Sequence, residues 1–153
     1  MMAMRLFKPV LTALCAGILA QGLIHQPVHA QETRDQTDGA AITLELNKAE
    51  DIGGNCRLSF VMTNGTGQAV EAAAYELVLF SPDGVISQMS VFDFGALPAG
   101  KTVVRQFELP GPECAQAGRL LINGPAGCAP KAASAHCSAP LKLSSRIGLT
   151  LTQ

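Results

Sequence analysis

The sequence predicts an all-β protein, an antiparallel sandwich of about seven strands behind a cleaved signal helix. Three observations predict it. From residue 42 onward, apolar residues recur with the period of two that a pleated strand imposes. Clusters of Gly, Pro, Asn and Asp punctuate that pattern about every 8–12 residues, as turns do. And the cysteines beyond the N-terminal segment form an even set in a chain addressed to an oxidising compartment.

The export signal occupies residues 1–30. Met1 to Lys8 is a short basic start carrying Arg5 and Lys8, Pro9 to Ile24 is almost wholly apolar, and Val28-His29-Ala30 closes the segment with modest residues. This is the three-part pattern of a secretory signal peptide, with cleavage after Ala30. The apolar stretch is shorter than the roughly 20 residues of a membrane span, so no stable membrane insertion is expected after cleavage; the alternative is an uncleaved anchor. No Arg-Arg pair marks the twin-arginine route. Cleavage discards Cys15 and leaves Cys56, Cys114, Cys128 and Cys137.

The net charge of −1 becomes more negative once Arg5 and Lys8 are removed. With no run of basic residues left, the chain has no electrostatic footprint for nucleic acid or for an anionic membrane surface. Residues 31–41 (QETRDQTDGAA) read as a flexible polar leader, and residues 42–153 as one β-sandwich domain.

Taken in order, Ile42–Asn47 alternates cleanly, and Glu50–Asn55 reads as a loop. Cys56–Thr63 is the second strand, with Cys56, Leu58, Phe60 and Met62 on the inward side. Asn64-Gly65-Thr66-Gly67 is a turn. Val70–Phe80 is the third strand, although Ala72-Ala73-Ala74 weakens its start and could be a helical turn instead; it is apolar on both faces from Tyr75 to Phe80 except at Glu76, which places it centrally. Ser81-Pro82-Asp83-Gly84 is a tight turn, with Pro and Gly where such turns favour them. Val85–Phe94 returns as the next strand of a hairpin. After Leu97-Pro98-Ala99-Gly100 comes Lys101–Leu109, whose inward face (Val103, Phe107, Leu109) is interrupted by Arg105, expected near an edge or snorkelling out. Arg119–Asn123 is a short strand, Gly124–Pro140 a long loop carrying two cysteines, and Leu141–Thr152 a final strand.

Four cysteines allow three pairings. In an immunoglobulin-like or fibronectin-III-like sandwich the second and sixth strands run the same way in opposite sheets. Cys56 and Cys114 then sit at the same end, which favours Cys56–Cys114 across the sheets and Cys128–Cys137 within the long loop. The runner-up pairs Cys114 with Cys128 and Cys56 with Cys137. Loop closure assigns about 4 kcal/mol to the first favoured bridge and about 2.7 kcal/mol to the second.

Chemistry is sparse. The sequence holds no Gly-x-Ser-x-Gly, no His-Glu-x-x-His and no Cys-x-x-Cys. His136 is the only histidine after cleavage, so no catalytic residues and no cofactor are assigned. Cys128, His136 and Cys137, with Cys114, match a zinc or copper set by residue type; two disulfides beside a bystander histidine account for the same residues. Met62 and Met89 are soft ligands in principle, but Met62 falls on a core face. Asn64-Gly65-Thr66 fits the glycosylation acceptor pattern and also makes a turn unaided.

Two segments carry a resemblance. Cys56–Asn64 is a strand ending in Asn before a Gly turn, and Leu97-Pro98-Ala99-Gly100-Lys101-Thr102 leads into a later strand. With Leu120-Leu121-Ile122-Asn123 and the flanking cysteines, the chain resembles uncharacterised signal-peptide-bearing periplasmic proteins of proteobacteria. That resemblance implies an immunoglobulin-like sandwich and a periplasmic or secreted location, and no activity. A looser similarity to periplasmic copper chaperones of the cupredoxin-like type lacks their His-x-Met ligands, so it implies the sandwich and not the copper. The reading is an exported, non-enzymatic binding or accessory module whose partner is another exported protein. It would bind through the loops at one end, Gly124–Pro140 among them, or through an exposed edge strand at Val85–Phe94. The alternative is a metal-handling protein built on Cys128, His136 and Cys137.

Overall fold

Alternating apolar side chains build strands from Ile42 to the C-terminus. The computed structural model describes residues 41–111 and 113–153; the signal segment 1–30, its cleavage point after Ala30 and the leader up to residue 40 lie outside the described residues. The strands are β1 (Ile42–Ile52), β2 (Asn55–Asn64), β3 (Val70–Phe80), β4 (Ile86–Leu97), β5 (Thr102–Pro110), β6 (Arg119–Ala129), β7 (Lys142–Ser145) and β8 (Thr150–Thr152). One sheet has the order β5-β2-β1-β7 and the other β4-β3-β6-β8. We call them sheet I and sheet II.

The two inner faces meet in one apolar core. Cys56, Leu58, Phe60 and Met62 of β2 are all buried, as their alternation requires. Phe60 lies 6.0 Å from Phe92 and 5.7 Å from Phe94 of sheet II, both edge-on. Phe107 of β5 stacks on Phe92 at 4.3 Å. These rings, each worth 150–250 Å² of buried surface in general, join the sheets face to face in a sandwich-like all-β arrangement.

β1 runs five residues further than its alternation indicates. A bulge between Leu46 and Lys48 shifts the register against β2, which scrambles the period of two beyond that point. The expected loop at Glu50–Asn55 is instead a hairpin closed by Gly53-Gly54, with φ of 56° and 85°. Two successive positive φ values are what a tight hairpin of matching twist needs, and glycine supplies both.

The sheets are mixed rather than wholly antiparallel: β7 runs parallel to β1 and β8 parallel to β6. The expected single strand Leu141–Thr152 is broken because the Ser145 hydroxyl donates to the Leu149 carbonyl at 2.7 Å and accepts from the Ile147 amide at 3.3 Å. The Arg146 amide meanwhile bonds the Leu46 carbonyl at 3.0 Å. The chain therefore leaves sheet I at Ser145 and enters sheet II at Thr150. A parallel neighbour needs a long return connection; between β6 and β8 the chain from Pro130 provides it, passing through β7 of the other sheet.

That stretch also corrects the expected loop Gly124–Pro140. β6 continues through Ala129, pairing Gly127, Cys128 and Ala129 with Ala74, Ala73 and Ala72 of β3. Small residues on both strands let them approach without a large side chain to signal a strand. A 3-10 turn (Lys131–Ala133) and a five-residue helix α1 (Ser134–Ser138) follow.

Both favoured disulfides are present: Cys56 with Cys114 and Cys128 with Cys137. The first does not join strand to strand across the sheets, as expected. It ties the start of β2 to the 3-10 turn Cys114–Gln116 in the β5–β6 crossover. The Asp51 carboxylate reinforces it, accepting from the Cys114 amide at 2.7 Å. The second fastens α1 to the far end of β6.

Candidate interaction surface

Phe92 and Phe94 must point inward to complete the aromatic core, so Met89, Val91 and Asp93 must point outward. β4 is an edge strand of sheet II, and its outward side is largely apolar. Ile86, Met89 and Val91 keep 55%, 52% and 59% of their surface exposed, and Val85, just before the strand, keeps 61%.

Register carries that character across the sheet. Met89 pairs with Val78, Val78 with Leu121, and Leu121 with Thr152. Val78 is buried here by its outer-face neighbours, outside the inner core cluster. A register shift near Phe80 places Ile86 opposite Phe80, and the Arg119 guanidinium lies 4.1 Å over the Phe80 ring. At the other end Val91 pairs with Glu76, whose carboxylate accepts from Asn123 Nδ2 at 2.6 Å.

Sheet I presents the opposite chemistry. Its outer face pairs Thr63 with Thr102, Ser59 with Gln106 and Arg57 with Glu108. Each pair is hydrogen-bonded, the last through Arg57 Nη2 and Glu108 Oε1 at 2.6 Å. Only Val61 beside Val104 is apolar in that ladder.

Edge strands are commonly guarded by Lys, Pro or a covering segment. Between Ile86 and Val91 the chain has neither Lys nor Pro. Beyond it, Arg105 closes the edge: its Nε donates to the Phe94 carbonyl at 2.8 Å. That arginine sits on β5, itself an edge strand, so the expected edge position is met and the side chain links the rims of both sheets.

The other candidate residues are elsewhere. Cys128 and Cys137 spend their sulfurs on each other, and His136 Nε2 lies 3.1 Å from Gln68 Oε1. As thiolate ligands the two cysteines would first have to be reduced. Among the described residues no group of three His, Cys, Asp or Glu side chains could hold a metal. Met62 is buried in the core, and Met89 is exposed on the outer face of β4 opposite Val78. Asn64 is fully buried: Nδ2 donates to the Gln68 and Leu97 carbonyls at 2.7 and 2.8 Å, and Oδ1 accepts from the Thr66 amide and hydroxyl. The turn absorbs that residue's whole bonding capacity, which leaves no free amide for a glycan in the folded protein.

Titration shifts trace to structure. The Arg146 guanidinium, followed by Asn47, holds Glu45 below the ordinary carboxylate range. Ser81 does the same for Asp83 in its turn. Burial pushes Tyr75 up to about 12.

Sequence alternation identifies the exposed half of β4 but not the row Met89–Val78–Leu121, because strand neighbours are set by long-range register. The signal that could have found it is the two-faced apolar run Tyr75–Phe80, which asks for cover on its outer side as well as its inner one.

No protein family, curated protein or solved structure matches this chain. The fold and surface define a doubly disulfide-bonded all-β protein with one polar outer face and one crossed by an apolar row. Disulfides fit an extracellular or otherwise oxidising location. Among the described residues no helix is long and apolar enough to cross a membrane.

Proposed function

We propose that this chain is an exported, non-enzymatic binding module of immunoglobulin-like type, freed from its signal peptide after Ala30 and working in the periplasm or outside the cell. It binds another exported protein by adding one of that partner's extended segments to the edge of β4. The observation that carries this reading is the apolar edge at Ile86–Val91, exposed among the described residues and carrying neither Lys nor Pro, continuous with the row through Val78 and Leu121. Supporting the immunoglobulin-like type is the order β1-β2-β5 against β4-β3-β6, the neighbours such sandwiches give their A-B-E and C′-C-F strands. β8 takes the last strand's place beside β6 but runs parallel to it, a departure from that plan.

Charge narrows the partner's chemistry. Asp93 and Glu76 lie at the Val91 end, and Arg119 at the Ile86 end covers Phe80. A complementary segment alternates apolar side chains over Met89 and Val91 and carries a basic residue opposite Asp93.

A photo-crosslinking residue placed at Met89 or Val91, in protein exported by its own host, tests this directly. The expected result is one discrete adduct from both positions, absent when the probe replaces the equally exposed Val104 (58%) of sheet I. Adding Val91→Lys to the Met89 probe should abolish it, as an edge lysine opposes strand addition. Equal adducts from Val104, or no adduct from either β4 position, would overturn the proposal.

A further inference from the structure

Asn64-Gly65 is a reactive pair whose chemistry the turn suppresses. An asparagine followed by glycine cyclises readily, because glycine has no side chain to obstruct its own nitrogen. The Gly65 nitrogen attacks Asn64 Cγ, the N–Cγ bond forms, and the Cγ–Nδ2 bond breaks. Nδ2 leaves as ammonia with the proton from Gly65. Water then opens the succinimide to aspartate or isoaspartate.

In the folded protein every participant is engaged. The Gly65 amide donates to the Ala41 carbonyl at 3.0 Å. Both Nδ2 protons are held by the Gln68 and Leu97 carbonyls, Oδ1 is held by Thr66, and the residue is sealed from solvent. The main chain around it is pinned as well: the Asn64 amide donates to Lys101 and the Asn64 carbonyl accepts from Gly100. In the chain's other Asn-Gly pair Asn123 is exposed and Gly124 half-buried, and Asn123 Nδ2 donates to Glu76.

We propose that Asn64-Gly65 is a deamidation site that the fold keeps closed, and that its conversion turns a transient unfolding into a permanent one. After conversion a carboxylate would face the Gln68 and Leu97 carbonyl oxygens where an amide had donated. A buried anion against two acceptors is strongly unfavourable, so the converted chain does not regain the fold.

Peptide mapping of the disulfide-bonded protein, aged either folded or in denaturant, provides the test, with Asn123 as an internal reference. If conversion requires unfolding, its rate follows the unfolded fraction, about a thousandfold or more below the rate in denaturant. Asn64 should therefore stay intact in the folded sample over the time in which it is half converted in the unfolded one. When the aged unfolded sample is returned to folding conditions, the native fraction should contain only unconverted Asn64, whatever the state of Asn123. Comparable conversion of Asn64 in folded and unfolded samples would overturn the proposal, and so would a native fraction rich in converted chains.

Discussion

Tyr75 illustrates how a residue can serve the core with one part and oppose it with another. Its ring is fully buried and meets Phe94 edge-on at 6.1 Å. Its hydroxyl is buried with no hydrogen-bond partner among the described residues. Leaving a polar group dry and unbonded costs about 1–3 kcal/mol, and the same burial pushes its ionisation up to about 12. Tyr75→Phe keeps the ring and removes the cost. Urea unfolding should show the variant more stable by about 1 kcal/mol; a loss of that size would mean that the hydroxyl is bonded in solution. Asn64 is the opposite case, a buried polar residue whose every atom is matched. Composition alone does not separate the two, because satisfaction depends on carbonyls brought from Leu97 and Gln68 by the fold.

At the scale of elements, the crossovers decide where strands end. The Gly118 amide donates to the Phe80 carbonyl at 2.8 Å as the chain enters β6. A Cβ there would lie 2.5 Å from the Ser81 carbonyl oxygen and 2.7 Å from Pro82 Cα, both backbone. Gly118→Ala should thus cost about 1–3 kcal/mol, the usual range for forced overpacking. Gly148→Ala, with nothing within 4 Å, should stay within about 0.5 kcal/mol. Equal unfolding midpoints for the two would refute the close approach. The β7–β8 connection depends on charge: Arg146 Nε donates to Glu45 at 2.8 Å. Glu45 is depressed below its ordinary 4.5 in the folded state. Its contribution is therefore complete above the unfolded value and is lost as pH falls through the lower folded one. Stability measured from pH 6 down to pH 3 should fall less steeply in Glu45→Gln than in the parent; identical slopes would show the pair to be idle in solution.

These elements also show what the sequence reveals and what it withholds. β2 and the Tyr75–Phe80 half of β3 are legible nearly residue for residue, because their apolar pattern and bounding turns are local; Ala72-Ala73-Ala74, equally open to a helical turn, is fixed as strand by pairing with β6. The Ser81–Gly84 turn closes as expected, with Gly84 donating to the Ser81 carbonyl at 2.9 Å. The far half of β6 is not legible, since Pro125-Ala126-Gly127 carries no strand propensity and is held there by pairing with β3. Nor is the split of Leu141–Thr152, where both halves keep the same period while belonging to different sheets. The edge at Val85–Phe94 is visible as an apolar strand. Its closure at Phe94 by Arg105 is not, because that contact joins two sheets.

For the whole molecule, the two disulfides act on different parts of the structure. Cys56–Cys114 spans 58 residues and ties the crossover to sheet I, so its loop-closure contribution of about 4 kcal/mol is a large share of an ordinary domain's 5–15 kcal/mol. Cys128–Cys137 closes a local loop and seats α1 against the core, where Ala133 and Cys137 are buried with the strand side chains. Both bridges and the apolar row on the outer face of sheet II belong to the proposed account: an exported sandwich, stapled by oxidation, that offers the edge of β4 to a partner. The measurement that tests its core most directly is non-reduced peptide mapping, with intact mass, of protein recovered from the export compartment after thiol alkylation. The account predicts a chain beginning at Gln31, linked Cys56 to Cys114 and Cys128 to Cys137, with no alkylated cysteine and no metal adduct. Free thiols at Cys128 and Cys137 with bound metal, or a retained N-terminal segment with reduced cysteines throughout, would contradict it.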